Sequence, residues 1–190
     1  ATGEIIASSE HNIYQYDETK DQFNRLKLNF GGLAQVPLIL SISQSPDGDI
    51  WIGTKDQGLF IWRKSNRISG QFDLENITKH SDFILSTLYA IQFDDDDYGW
   101  GSTQSGIVKF DSKGTILARF VVSDGLQGLD FNFGASLIDS AGNIYFGGSN
   151  GYNRFSPKSI NTIRFAPKIL LNRIAISRGG KIELFERRDI

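Results

Sequence analysis

Side chains able to do acid–base or nucleophilic chemistry are scarce in this sequence. It has two histidines, His11 and His80, and no cysteine. Neither histidine stands beside a Ser or Asp in a recognisable nucleophile motif. Ser136 and Ser149 lie in glycine-containing segments, but a nucleophile elbow needs a strand–turn–helix, and no helix is expected there. Without cysteine there is no thiolate metal site and no disulfide, which fits a cytoplasm or a periplasm. Asp94-Asp95-Asp96-Asp97 offers the carboxylate oxygens that Ca²⁺ takes, but not the spacing of an EF-hand loop. The expectation is a solvated turn. No catalytic residue, metal or cofactor is assigned, and the chain is read as no enzyme in itself.

The side chains that remain are suited to binding. The candidates are Lys55, Asp56, Gln57, Gln104, Ser105, Asp130, Phe131, Asn132 and Asn150. Amide, hydroxyl and charged tips beside aromatics such as Phe131 and Phe133 suit a small polar ligand, oligosaccharides included. The formal net charge of −2 argues against a nucleic-acid or anionic-membrane surface. No apolar run is long enough to span a bilayer, and no signal-peptide pattern is visible. The sequence opens at Gly3-Glu4-Ile5-Ile6, in what reads as the middle of a repeat. Membrane attachment is therefore expected only through parts of the protein outside this sequence.

The elements that carry these residues are announced by a repeated phrase. Asp47-Gly48-Asp49-Ile50-Trp51-Ile52-Gly53-Thr54 returns in weaker form around Trp100 and Tyr145, and more faintly around Ile6. The anchors Ile6, Trp51, Trp100 and Tyr145 lie 45, 49 and 45 positions apart. A step of that size with strand-like content predicts β-propeller blades. In the second repeat, Leu40–Gln44 reads as inner strand A and Ile50–Thr54 as B. Leu59–Trp62 reads as C, and Ile68–Phe72 as outer strand D. The third repeat has A at Leu88–Phe93, B at Tyr98–Thr103, C at Ile107–Asp111 and D from Ile116 to Val122. The fourth has A at Gly134–Ile138, B at Asn143–Gly148 and C at Tyr152–Phe155. The first has B, C and D but no A. The fold expected is all-β: a partial propeller of about three and a half four-stranded blades, with a C-terminal strand segment.

Two sets of large rings recur in register: Trp51, Trp100 and Tyr145, and then Tyr16, Trp62, Phe110 and Phe155. Their expected place is between facing sheets. Gly58, Gly106 and Gly151 fall where a tight turn favours φ > 0. In an up-and-down blade the B–C turns and the D–A loops share one face. That face carries the longer loops, Asn29–Leu38, Leu74–Thr87 and Ser123–Phe133, and all the binding candidates lie on it. The Asp94–Asp97 run falls on the opposite face.

The stretches SISQSPDGDIWIGTKDQGLFIW and IVKFD resemble repeats of the two-component regulator propeller family. DGLQGLDFNFGASLIDSAGNIYFGGSNGYNRFSPKSI, Asp124 to Ile160, is similar to the last blade of such sensors. APKILLNRIAI looks like the start of the immunoglobulin-like domain that follows them. The resemblance departs at Gly99 and Gly101, which replace the usual aliphatics beside Trp100 and would loosen that strand. Ile6 also stands in place of the aromatic.

The resemblance implies propeller blades over 1–160. It implies a linker and the start of an immunoglobulin-like domain over 161–190, or an outer strand for the last blade. It implies the ligand-sensing, extracytoplasmic (periplasmic) region of an inner-membrane receptor. The output would be a hybrid two-component histidine kinase or a diguanylate cyclase. A propeller lyase or hydrolase and a protein-interaction propeller are the rivals. Terminal blades without ring neighbours predict self-association of this chain.

Overall fold

The computed structural model describes residues 3–80, 86–160, 173–178 and 181–186. The chain divides into two compact units, Ala1–Ile160 and Asn161–Ile190. The first unit holds four antiparallel sheets, as the repeat predicts. The first blade is β1 (Ile6–Ser9), β2 (Asn12–Asp17) and β3 (Gln22–Leu26), in the order β1-β2-β3. The second is β4 (Ile39–Gln44), β5 (Ile50–Thr54), β6 (Leu59–Trp62) and β7 (Glu75–Asn76), paired in chain order. The third is β8 (Leu88–Phe93), β9 (Gly99–Thr103), β10 (Gly106–Phe110) and β11 (Ile116–Phe120). The fourth is β12 (Phe131–Ile138), β13 (Ile144–Gly148) and β14 (Gly151–Phe155). In the second unit β15 (Arg173–Arg178) and β16 (Lys181–Glu186) form an antiparallel pair. The strand expected at Pro167–Leu171 lies outside the described residues.

The core lies between blades, because side chains on a strand alternate sides. Strand β5 is buried along its whole length. It sends Ile50 and Ile52 into a cluster with Ile13, Phe60 and Trp62, between the first and second blades. It sends Trp51 the other way, into a cluster with Leu88, Ile91 and Phe110, between the second and third. The third junction repeats the scheme, with Trp100 and Ile107 against Ile144, Phe146 and Phe155. The two aromatic registers therefore meet. Trp51 lies 5.4 Å from Phe110 between ring centroids, and Trp100 lies 4.8 Å from Phe155. Aromatic pairs at this range add to the apolar burial itself.

The outer strand of the second blade is not where the sequence suggests. Ile68–Phe72 is not a strand; a one-turn helix, α1 (Lys64–Ile68), follows β6, and the outer strand is the two-residue β7. Asp49 is the cause. Its carboxylate accepts the Lys64 backbone N–H at 2.6 Å and the Arg63 guanidinium at 2.9 Å, satisfying a helix N-terminus that has no cap of its own. Arg67 of α1 then reaches Glu4 of the first blade at 3.2 Å.

Gly99 and Gly101 do not loosen β9. A Cβ at Gly99 would drive into the ring of Phe110, and one at Gly101 would press on Leu88 and Phe110. The two glycines make the space in which that ring lies. Gly58, Gly106 and Gly151 have φ of 92°, 115° and 117°, as their turns require.

Candidate functional site

Each inner strand begins at the loop face with an irregularity in its pairing. One residue is extra in β4, at Leu40, and one in β8, at Tyr89. In β12 the register jumps from Phe131 to Ser136, leaving Asn132–Ala135 out of the ladder. Bulges of this kind re-aim side chains. Tyr89 and Phe133 consequently stack, with centroids 5.7 Å apart and planes at 20°, and Phe133 is largely exposed.

Beside this pair the structure gathers the candidate binding residues into two groups. In the first, Lys55, Asp56 and Gln57 form the exposed B–C turn of the second blade. Asp56 takes the left-handed φ of 61°. Its backbone N–H donates to Thr87 Oγ1 at 3.1 Å, and that hydroxyl donates to the Asp56 carboxylate at 3.2 Å. The Lys55 N–H donates to the Leu38 carbonyl, and the Gln57 carbonyl accepts from Asn76. Gln104 Nε2 donates to Ser86 Oγ at 3.1 Å, and the Ser105 carbonyl accepts from Arg119 at 2.8 Å. Ser86 and Thr87 are neighbours, so one D–A segment ties the two B–C turns together.

Gln127 builds the second group. Its side-chain oxygen accepts the Asn150 N–H at 2.9 Å, and its amide donates to the Asp130 carbonyl at 3.3 Å. Asn150 Nδ2 returns a bond to the Gln127 carbonyl. Asn132 is exposed within the β12 bulge. Phe131 is a different case. It is 5% exposed and packs in the third junction, so its ring is a core group and is not presented at the loop face. Reading the sequence misses Ser86, Thr87, Tyr89 and Gln127. Their position just before or within an inner strand is the signal, but only the bulges show which way they face.

His11 Nδ1 lies 3.1 Å from the Val36 carbonyl, and the His80 side chain lies outside the described residues. Among the described residues no group of three or more His, Asp or Glu side chains gathers as a metal set.

The acidic run is solvated at Asp95–Asp97, as expected, but Asp94 is built into the turn. Asp94 is buried, and its carboxylate accepts the backbone N–H of Asp96 and Tyr98 at 3.0 Å each and Trp100 Nε1 at 2.8 Å. Asp139 holds the same place in the fourth blade. It accepts from the Asn143 side chain, the Asn143 and Ala141 N–H groups and the Tyr145 hydroxyl. The Asn143 amide above all, followed by its backbone N–H, pulls the Asp139 carboxyl down to about 2. A cleft of about 590 Å³ lies on this opposite face, lined by Gln44, Lys64, Arg67 and Gln92 among others.

Residues 32–56 match the two component regulator propeller family. They run through β4, the Pro46–Asp49 turn and β5 into the first candidate turn. Over these residues the chain is similar to a regulator propeller repeat. A relative of this repeat protein is histidine kinase P4 of Formosa agariphila, 25% identical over 133 residues, or 70% of this chain and 9% of the kinase. A solved structure, the extracellular domain of a hybrid two component system of B. thetaiotaomicron, is 20% identical with a TM-score of 0.67. It covers 97% of this chain and 27% of that one. PorZ, a surface component of the type-IX secretion system of Porphyromonas gingivalis, is 19% identical with a TM-score of 0.57. It covers 79% of this chain and 23% of PorZ. The structural likenesses establish the propeller fold, and the chain spans a small part of each relative.

Proposed function

We propose that this chain is the ligand-sensing propeller region of a membrane-bound signalling receptor, held outside the cytoplasm. The observation that carries the reading is the regulator propeller repeat at residues 32–56. The relatedness to a histidine kinase supports a kinase output, with a diguanylate cyclase as the other class. Residues 161–190 are then the start of an immunoglobulin-like domain or an outer strand of the last blade. No helix of the described residues is long and apolar enough to cross a membrane, so in this reading the anchor belongs to another part of the receptor.

The sensing surface is the loop face. Polar groups there are held by hydrogen bonds at the ends of the sheets, and Tyr89, half-buried, stacks with the exposed Phe133 in the same inner-strand starts. Aromatic faces flanked by amide and carboxylate groups suit a small polar molecule or an oligosaccharide. The test is a library of neutral and anionic oligosaccharides, amino acids and short peptides, read by the shift in thermal midpoint of the 190-residue chain. One member raises the wild-type midpoint, and the Asp56→Ala/Gln104→Ala double variant loses that rise. A member that stabilises both proteins equally would move the site elsewhere. If no member acts and the intact receptor signals normally with both substitutions, the reading fails.

A further inference from the structure

Blades arranged about an axis splay apart toward the rim, so the gap between two sheets widens at their outer strands. The connection that leads to the next blade has to fill it. In the first blade the register sets Ile13 of β2 opposite Leu26 of β3, and in the third it sets Ile107 of β10 opposite Phe120 of β11. A pocket lies beside each pair. The one at the third junction is about 140 Å³ and has Asp124 in its wall. At the second junction the register of β7 carries Ile77 toward the corresponding place, and Ile77 packs on the core there. The pocket at the first junction is about 220 Å³, and among the described residues no Asp or Glu lines it.

The base of this pocket is apolar. Ile13 and Phe30 are 2% and 5% exposed, and Leu28 and Val36 pack on the same cluster. The Phe30 ring is set edge-on to Phe60 of the second blade, with centroids 5.1 Å apart. The connection that forms the far wall is pinned along its length. The Asn29 N–H donates to the Phe72 carbonyl at 2.8 Å, and the Leu74 N–H donates to the Asn29 carbonyl at 2.9 Å. His11 Nδ1 meets the Val36 carbonyl, which can only accept, so that nitrogen carries its proton. At the end of the connection the Ile39 N–H donates to the Glu10 carbonyl at 2.7 Å. The pocket is thus preformed, walled by the first blade and its connection and backed by the second blade.

The rim is basic. His11, Arg25 and Lys27 line the pocket and are exposed, and none of them forms an ion pair among the described residues. Of the acids in these loops, Asp73 accepts from Asn29 Nδ2 at 2.7 Å, and Glu10 adjoins His11 without lining the pocket.

We propose that this pocket binds a small aromatic carboxylate, its ring against Phe30 and Val36 and its acid group at Arg25 and Lys27. An apolar cavity of about 150 Å³ accepts benzene, so the space here suits a six-membered ring with a short acidic arm. A carboxylate is the anion that a guanidinium or ammonium pairs with most directly. The pocket shares no residue with the two loop-face groups, and the inference does not depend on what they bind.

The test is saturation-transfer NMR on the whole chain with three probes of one size: phenylacetate, 2-phenylethanol and 2-phenylethylamine. Phenylacetate gives a saturable signal and binds roughly tenfold more tightly than the alcohol or the amine, as one charge-assisted hydrogen bond implies. Arg25→Gln/Lys27→Gln removes that preference and leaves binding of the alcohol unchanged. Both side chains are exposed, so this variant keeps the fold. Val36→Trp fills the pocket and abolishes binding of all three. A wild-type chain that binds none of the probes overturns the proposal. So does an alcohol that binds as tightly as the acid, which would mean an apolar pocket without recognition of charge. So does phenylacetate binding that survives Val36→Trp, which would put the acid elsewhere. Should Val36→Trp fail to fold, the double variant still decides, because a preference for the acid that persists there also overturns the proposal.

Discussion

Three equivalent residues show how one side chain sets the fate of a blade. Asp94, Asp139 and Ser45 each open an A–B turn, six positions before Trp100, Tyr145 and Trp51. The two aspartates bond the ring that follows them. Ser45 is too short; its hydroxyl goes to Asp47 and to the Asp49 carbonyl. Trp51 Nε1 is left buried with no partner. An unsatisfied buried donor costs roughly 1–3 kcal/mol. Ser45→Asp is therefore expected to stabilise the chain by about 1 kcal/mol, or roughly 2–4 °C in a domain of this size. The third blade already carries Asp at both equivalent places, Asp94 and Asp96, so the turn tolerates the pair. A lower midpoint for Ser45→Asp in a thermal melt would reject the equivalence. Carboxylates in the Asp139 turn and in the turn from β2 to β3 are held low. Asp139 and Asp17 both sit at about 2, below the ordinary 3.8, Asp17 chiefly through the Thr19 hydroxyl and then Lys20. Carboxyls held low bind protons less readily folded than unfolded. Their contribution is complete above the unfolded value and is lost as pH falls through about 2. Melting midpoints should stay level from neutral pH down to about 5 and drop between roughly pH 4 and 2. Asp139→Asn should flatten part of that drop, and parallel curves for variant and wild type would reject its role.

At the scale of the element, what the sequence discloses depends on whether a residue's partner lies in the repeat. Strands A, B and C of the blades are legible because their apolar residues face neighbours that recur every 45 to 49 positions, and so the pattern recurs too. Helix α1 is not legible, because its cause, Asp49, lies in another turn and has no counterpart in the third blade, where Tyr98 stands. The candidate loops divide in the same way. The B–C turns can be found by their glycines, whereas the bulge that exposes Phe133 and buries Phe131 comes from a register jump with no residue signature. Gly99 and Gly101 are the reverse case. As a local propensity they read as weakness, yet in the packed structure they hold the Phe110 ring against Trp51. Gly99→Ala is accordingly expected to cost about 1–3 kcal/mol through overpacking. The check is a double-mutant cycle by denaturant unfolding. The cost should shrink in a Phe110→Leu background, where the smaller side chain leaves room. Equal costs in both backgrounds would show that the glycine matters for the strand and not for the ring.

Across the first unit, no blade owns a core. Each of the three clusters draws on two adjacent sheets, and β5, β6 and β10 each serve two of them. Opening one junction therefore strips one face from the blades on both sides, and the adjacent junctions lose their backing. In repeat arrays the coupling between neighbours decides whether blades melt singly or together. Here the coupling is carried by wholly buried aromatics, and it should make the unit unfold in one step. The protein supplies its own reporters. Its three tryptophans fall one to a junction: Trp62 in the first, Trp51 in the second and Trp100 in the third. Three variants, each keeping a single tryptophan and replacing the other two by phenylalanine, would report the junctions separately. In each variant the fluorescence midpoint should coincide with that of far-ultraviolet circular dichroism, which follows all the blades at once. Comparing two probes within one variant cancels the different stabilities of the three proteins. A Trp62 or Trp100 signal that moves well before the dichroism would mean that an outer blade lets go alone, and that the stacked aromatics couple neighbours less strongly than their burial indicates.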